Sequence, residues 1–285
     1  MKNILDRFNA LAEKHKKTTQ NSEEKIDYKE LTPTSESTEK LLGEHTYLPV
    51  SKKIQIPVPN VILRSALFGV VEKGGRKFQK NVIKATFNGY TVKYTGEQLD
   101  QADLDVWLEC ISRCKDTPLG HIVRFSSYEF LKGIKRSTGK SQYDWLYDSL
   151  NRMQSSSIYL SDGKYTYIGS LINEIYREEE TGKNCISLNP KIISCFGDSS
   201  WTGITKDLRL KLKAKPLTQW LYSFFSSHVK PLPIKIETLK KLCGSEIAEL
   251  RMFRFKMKKS LKELSSVTGW SCEIDEKDKV IVNKK

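Results

Sequence analysis

Hydrophobic positions along this chain fall into two successive runs with the same order of spacings. In the first, residues 83–87 and 90–94 alternate apolar and polar side chains about Asn88-Gly89. Both turn residues tolerate positive φ, so the stretch predicts a β-hairpin. Thr95-Gly-Glu-Gln98 reads as a capping box opening a helix with Leu104, Trp107, Leu108 and Ile111 on one face. Asp100, Asp103 and Asp105 fall near that helix's amino end, where its dipole favours carboxylates; a metal cluster is the competing reading. Ser126-Ser-Tyr-Glu129 then caps a short helix to about Ile134, and a polar turn covers 135–140. Ser141-Gln-Tyr-Asp144 starts a longer helix whose core face is Leu146, Leu150 and Met153. Residues 156–160 and 165–172 predict a hairpin about Ser161-Asp-Gly163, with a further strand at 184–188.

The order then recurs. Pro216 begins a helix with Leu217, Trp220, Leu221, Phe224 and Phe225 on one face. A short helix at 236–242 ends at Gly244, and a long one at 246–266 has Leu250, Phe253, Met257, Leu261 and Leu264 as core positions. Residues 270–274 and 280–283 flank a polar turn as a final hairpin. Helix, turn, longer helix and hairpin is the winged-helix order, in which the longer helix can enter a major groove about 12 Å wide. Finding it twice in one chain argues against chance patterning. The predicted fold class is therefore α+β, with tandem winged-helix domains at 54–197 and 198–285. Residues 13–46 are rich in Lys, Glu, Ser and Thr and cannot bury enough surface to offset their ordering entropy, so 1–53 reads as a disordered arm. Within it, Ile4, Leu5, Phe8, Leu11 and Ala12 share one helical face that a partner could bind.

Charge sharpens this picture once it is divided along the chain. The formal net charge is +14, and residues 198–285 hold 19 basic against 10 acidic side chains. A localised positive field suits a polyanion partner, because cations set against phosphates release condensed counterions. The long second helix carries Arg251, Arg254, Lys258 and Lys262 at three- and four-residue spacing, one position on from its apolar stripe. These should form a basic face beside the core face. Arg251 and Arg254 are candidates for reading guanine edges, Lys258 and Lys262 for meeting phosphates. The first copy is less basic. Lys135, Arg136, Lys140 and Arg152 cluster at its turn and helix, Ser141 and Gln142 can add base or phosphate contacts, and Asp144 and Asp148 oppose them.

Other chemistries find little support. The six cysteines include no CxxC pair and read as free thiols. His15, His45, His121 and His228 are far apart, so no His-hydrophobic-His metal pair exists, and no GxxxxGK[ST] loop is present. His228 is expected to pack against or cap a helix end. No apolar stretch approaches the roughly 20 residues that span a bilayer. The expectation is a non-enzymatic, cytoplasmic DNA-binding protein without metal or cofactor.

Several longer stretches carry a family likeness: PNVILRSALFG at 59–69, YTGEQLDQADLDVW at 94–107, WLYSFFSSH at 220–228, and LCGS at 242–245 followed by Phe253-Arg254. Over roughly 57–285 the chain resembles the TrfA-like family of bacterial plasmid replication initiators, akin to the RepE and RepA iteron-binding initiators. The resemblance implies binding to repeated duplex sequences at a plasmid origin, local opening that exposes single-stranded origin DNA, and plasmid copy control. It further implies recruitment of the host replicative helicase and sliding clamp, and interchange between dimers and DNA-active monomers. Leu67-Phe68 ends a segment like a clamp-binding peptide but lacks the usual Gln; ordinary packing is the competing reading. A winged-helix transcriptional regulator is the alternative that the fold alone would accommodate.

Overall fold

Alternation at 91–97 makes that segment the spine of the first half. The computed structural model describes residues 46–284 apart from Lys53, Lys73, Asn88, Asp162, Tyr165, Glu179, Thr181 and Gly182. The apolar face at Ile4–Ala12 and most of the expected arm lie outside the described residues. Of the arm's last residues, Leu48 is buried and the Thr46 carbonyl accepts from the Leu119 N–H at 2.7 Å.

Strand β1 (Gln55–Pro59) precedes a short helical turn. Strands β2 (Phe78–Lys84) and β3 (Thr91–Glu97) form a hairpin in the expected region, but β2 ends at Lys84 rather than Phe87 and β3 begins at Thr91, so the connection is wider than a two-residue turn; Gly89 lies in it at φ 76°. The capping box expected at Thr95–Gln98 is not where the helix begins. Val92, Tyr94 and Gly96 are buried on one face, and β3 is paired on both sides, so strand geometry runs through to Glu97. Helix α1 (Gln101–Cys114) starts instead behind Asp100, whose carboxylate accepts from the N–H groups of Ala102 and Asp103 while the Asp103 carboxylate accepts from the Asp100 N–H. Leu104, Trp107, Leu108 and Ile111 are buried as their spacing required.

After β4 (Val123–Phe125), helix α2 (Ser127–Gly133) is capped by Ser126, as expected. Helix α3 (Lys140–Ser155) opens one residue before the expected Ser141, behind Gly139, with no side-chain cap. Its buried face is Leu146, Ser149, Leu150 and Met153. Strands β5 (Ser157–Ser161) and β6 (Thr166–Gly169) complete an antiparallel sheet in the order β2-β3-β5-β6. Strands β7 (Ile172–Glu178) and β8 (Lys183–Leu188) join β4 in a second sheet, with β8 central.

The two halves are clasped. Strand β9 (Trp201–Thr205) pairs antiparallel with β1, from Gln55↔Thr205 to Pro59↔Trp201. Helix α4 (Lys206–Lys211) leads to α5 (Pro216–Ser226), with Pro216 at its first position. Nine of the eleven α5 residues are buried, and Trp220 stacks on Phe224 with centroids 4.8 Å apart. Such all-round burial marks an internal helix. Strand β10 (Ile234–Lys235), α6 (Ile236–Leu242), α7 (Leu250–Thr268), β11 (Ser271–Ile274) and β12 (Lys279–Asn283) follow. Helix α7 begins four residues later than its pattern suggested, because Glu249 is still extended, and Leu250 projects to solvent rather than into the core. Gly269 ends it in the left-handed region at φ 73°. Buried side chains among the described residues form one continuous cluster from Leu48 to Val282.

The carboxy end of α5 is held by cations, as its exposed carbonyls favour. Arg64 donates to the Ser227 hydroxyl at 2.9 Å, and Lys284 donates to the carbonyls of Ser226 and His228. His228 packs there against Phe87 and Phe224, its Nδ1 2.8 Å from the Phe224 carbonyl and its buried Nε2, among the described residues, without a partner. Burial pushes its pKa down to about 4, and the nearby Arg64 and Lys284 act in the same direction. The unfolded ring titrates near 6.5. Between those values the unfolded chain binds more protons, so this group makes stability fall as pH drops from about 6.5 to 4. For this half-buried ring, screening trims the loss to roughly 1–2 kcal/mol. Urea unfolding across that range should show the slope flattened in His228→Phe; an unchanged slope would assign it to other groups.

Candidate nucleic-acid interface

Helix α7 has neither Gly nor Pro within it, and its apolar side chains recur every three or four residues. Phe253, Met257, Leu261 and Leu264 are therefore all sealed inside. The opposite side is open. Arg251, Arg254, Lys258 and Lys262, the four cations read from the sequence, are all exposed, as are Lys256 and Lys259. The last two lie outside the row next to the apolar stripe; full helical phasing places them on the far flank of the same face.

These cations divide by partner. Arg254 pairs with Asp278 in the β11–β12 turn, and Lys256 meets Glu72 at 2.7 Å. Among the described residues, Arg251, Lys258, Lys259 and Lys262 have no carboxylate within salt-bridge reach. The turn itself is built by Asp275, whose carboxylate accepts from the N–H groups of Lys277 at 2.9 Å and Lys279 at 2.8 Å. The Arg254–Asp278 pair thus ties the hairpin tip to the helix.

The first half places its candidates differently. Lys140 and Ser141 are exposed at the start of α3. Arg136 is half-buried, lies 3.5 Å over the Trp145 ring and donates from Nε to Gln142 Oε1 at 3.1 Å. Lys135, at φ 53°, sits 3.5 Å from Asp207. Arg152 is turned inward, 2.9 Å from Asp103 and 3.9 Å from Glu97, so its charge is already engaged. Tyr143, Asp144, Tyr147 and Asp148 occupy most of the exposed face of α3, which is consequently far less cationic than α7.

The three carboxylates at the start of α1 are used by arginines. Asp103 is fully buried, which by itself would raise its pKa; Arg76 at 2.6 Å and Arg152 override burial and hold it below the usual range. Asp100 shifts the other way, raised by burial and by its neighbour Asp103 against Arg76 at 2.5 Å. Asp105 receives Arg209 at 2.6 Å. Leu67 and Phe68 are buried, with Phe68 stacked on Trp107, so they pack inside the protein. Among the described residues no helix is long and apolar enough to cross a membrane.

Between the halves lies a cleft of about 1390 Å³, walled by Arg136, Gln142 and Trp145 on one side and by Lys256, Lys259 and Glu263 of α7 on the other. The chain shares its fold with domains 2 and 3 of RctB (15% identical, TM-score 0.53, 78% of this chain and 94% of that one). It also shares it with the Pi initiator protein solved in complex with iteron DNA (13% identical, TM-score 0.50, 83% of this chain and 100% of that one). Residues 42–280 match the family described as TrfA protein, and the chain belongs to that family. It is 26% identical over 216 residues to the plasmid replication initiator protein TrfA of Escherichia coli, covering 73% of this chain. The chain spans about half the length of that relative, 56%.

Proposed function

We propose that this protein is a plasmid replication initiator that binds repeated duplex sequences at an origin through two tandem winged-helix units. The carrying observation is α7: a helix sealed on one face by Phe253, Met257, Leu261 and Leu264, with Arg251, Lys258 and Lys262 facing solvent and, among the described residues, free of carboxylates. Membership of the TrfA family and the fold shared with initiators support the same reading. In it, α7 enters a major groove, the β11–β12 hairpin lies along the adjacent backbone, and α3 makes a weaker second contact. The protein acts by binding alone, without metal, cofactor or catalytic step. It opens the origin, contacts the exposed single strand, and recruits the replicative helicase and sliding clamp, the latter through a surface other than Leu67-Phe68. It exchanges between dimer and monomer in the cytoplasm and so sets plasmid copy number.

Footprinting on a plasmid origin should give protected segments at a regular repeat, and a minimal origin plasmid should persist only when the protein is supplied. Repression of a promoter without plasmid maintenance would instead make it a regulator. Arg254→Ala should cost roughly 1–3 kcal/mol of specific binding and relax base preference at one position. An unchanged affinity and footprint would remove Arg254 from the DNA-reading surface.

A further inference from the structure

Two apolar side chains on the open side of α7, Met252 and Phe255, fit neither its core nor its cationic role, and Phe255 is the larger and the more exposed. Phe255 is 68% exposed, on the side of the helix opposite Phe253, Met257 and Leu264. The core of this half is closed without it, since those three are 0% exposed. Its surface neighbours one turn away are Arg251, Met252, Lys258 and Lys259, all exposed. Among the described residues it makes no ring–ring or cation–π contact. A large apolar ring in the middle of a solvated, charged helix face forfeits the burial that such a side chain normally gains.

We propose that Phe255 is a specificity-determining residue that packs against the C5-methyl group of a thymine in the groove occupied by α7. The assignment rests on the duplex-reading role proposed above. In the major groove, the thymine methyl is the one apolar group that base edges present, and it distinguishes T·A from the other pairs. The two lysines beside Phe255, Lys258 and Lys259, are placed to meet flanking phosphates and so hold the ring against the base edges. Phe255 thereby supplies the apolar part of a readout whose polar part falls to Arg251 and Arg254.

Deoxyuridine, which differs from thymidine only by that methyl, provides the test. A duplex is selected by the full chain from a randomised library, and each thymine in it is replaced in turn by deoxyuridine. The wild-type protein should lose roughly fourfold in affinity at one position, the worth of one buried methyl-sized group. Phe255→Ala should bind the thymine duplex roughly tenfold more weakly and show no further loss on that replacement, closing a double-mutant cycle. Phe255→Leu should retain part of the difference, and both variants should unfold thermally like the wild type because the ring is outside the core. Indifference of the wild type to every single replacement would overturn the proposal. So would a Phe255→Ala protein that keeps the full thymine–uracil difference, or one that weakens equally on both duplexes. Failure of the full chain to select any duplex would instead overturn the DNA-reading role itself.

Discussion

Arg209→Ala should cost about 3–5 kcal/mol of folding stability, the usual result of stripping one partner from a buried ion pair. Arg209 is 1% exposed, and all five of its N–H donors are used. Nε meets Asp105 at 2.6 Å, one terminal nitrogen meets Ser223 Oγ at 2.7 Å and the Gln219 carbonyl at 3.2 Å, and the other meets the carbonyl and Oε1 of Gln101 at 2.9 and 3.0 Å. Gln219 donates to the second Asp105 oxygen at 2.8 Å. One guanidinium therefore joins α1, α4 and α5, and its removal strands a buried carboxylate between the halves. Against a typical domain stability of roughly 5–15 kcal/mol this is a large fraction, and the midpoint of thermal unfolding should fall by roughly 10 °C. Lysine cannot replace the planar fork and should recover little. Arg209→Met combined with Asp105→Leu removes both charges and should lie much closer to wild type. A loss under about 1 kcal/mol in Arg209→Ala would mean that the network contributes nothing net.

The largest effect on binding is expected from Arg251→Ala, Lys258→Ala and Lys262→Ala together. Each is exposed and, among the described residues, without an ion partner, so the fold should be unaffected. Removing a cation that neutralises one phosphate should make the slope of log affinity against log salt shallower by about 0.9, and removal of a base-reading arginine alone costs roughly 1–3 kcal/mol. Affinity for the selected duplex should therefore fall at least roughly a hundredfold, with the salt slope shallower by about two to three. Titrations at several salt concentrations measure both. An unchanged slope would remove α7 from the phosphate backbone whatever happened to affinity.

What the sequence made legible is what depends on near neighbours. The left-handed Gly89, the Ser126 cap, the bounds of α6 and the stripe Phe253-Met257-Leu261-Leu264 each rest on spacings within a turn or two, and they stand in the structure. What escaped depends on partners far along the chain. Thr95 is strand rather than cap because β3 pairs with β5, and its own partner there is Ser157. Arg152 reads as a surface cation until Asp103 folds against it, and nothing in the immediate neighbourhood of Arg209 indicates the helices it joins. Periodicity likewise places Phe255 on the polar face of α7 without indicating that a phenylalanine there is unusual in leaving its ring in water.

The β1–β9 clasp sets a timetable for synthesis. Pro59 pairs with Trp201, so the amino-terminal member of the clasp leaves the ribosome long before the segment that covers it has been translated. At roughly 5–20 residues per second the wait is on the order of ten seconds, during which Ile56 and Val58, both buried in the finished protein, lie beside an uncapped strand edge. Slower translation of the stretch between them would lengthen that exposure and raise the demand for chaperone cover on the nascent chain.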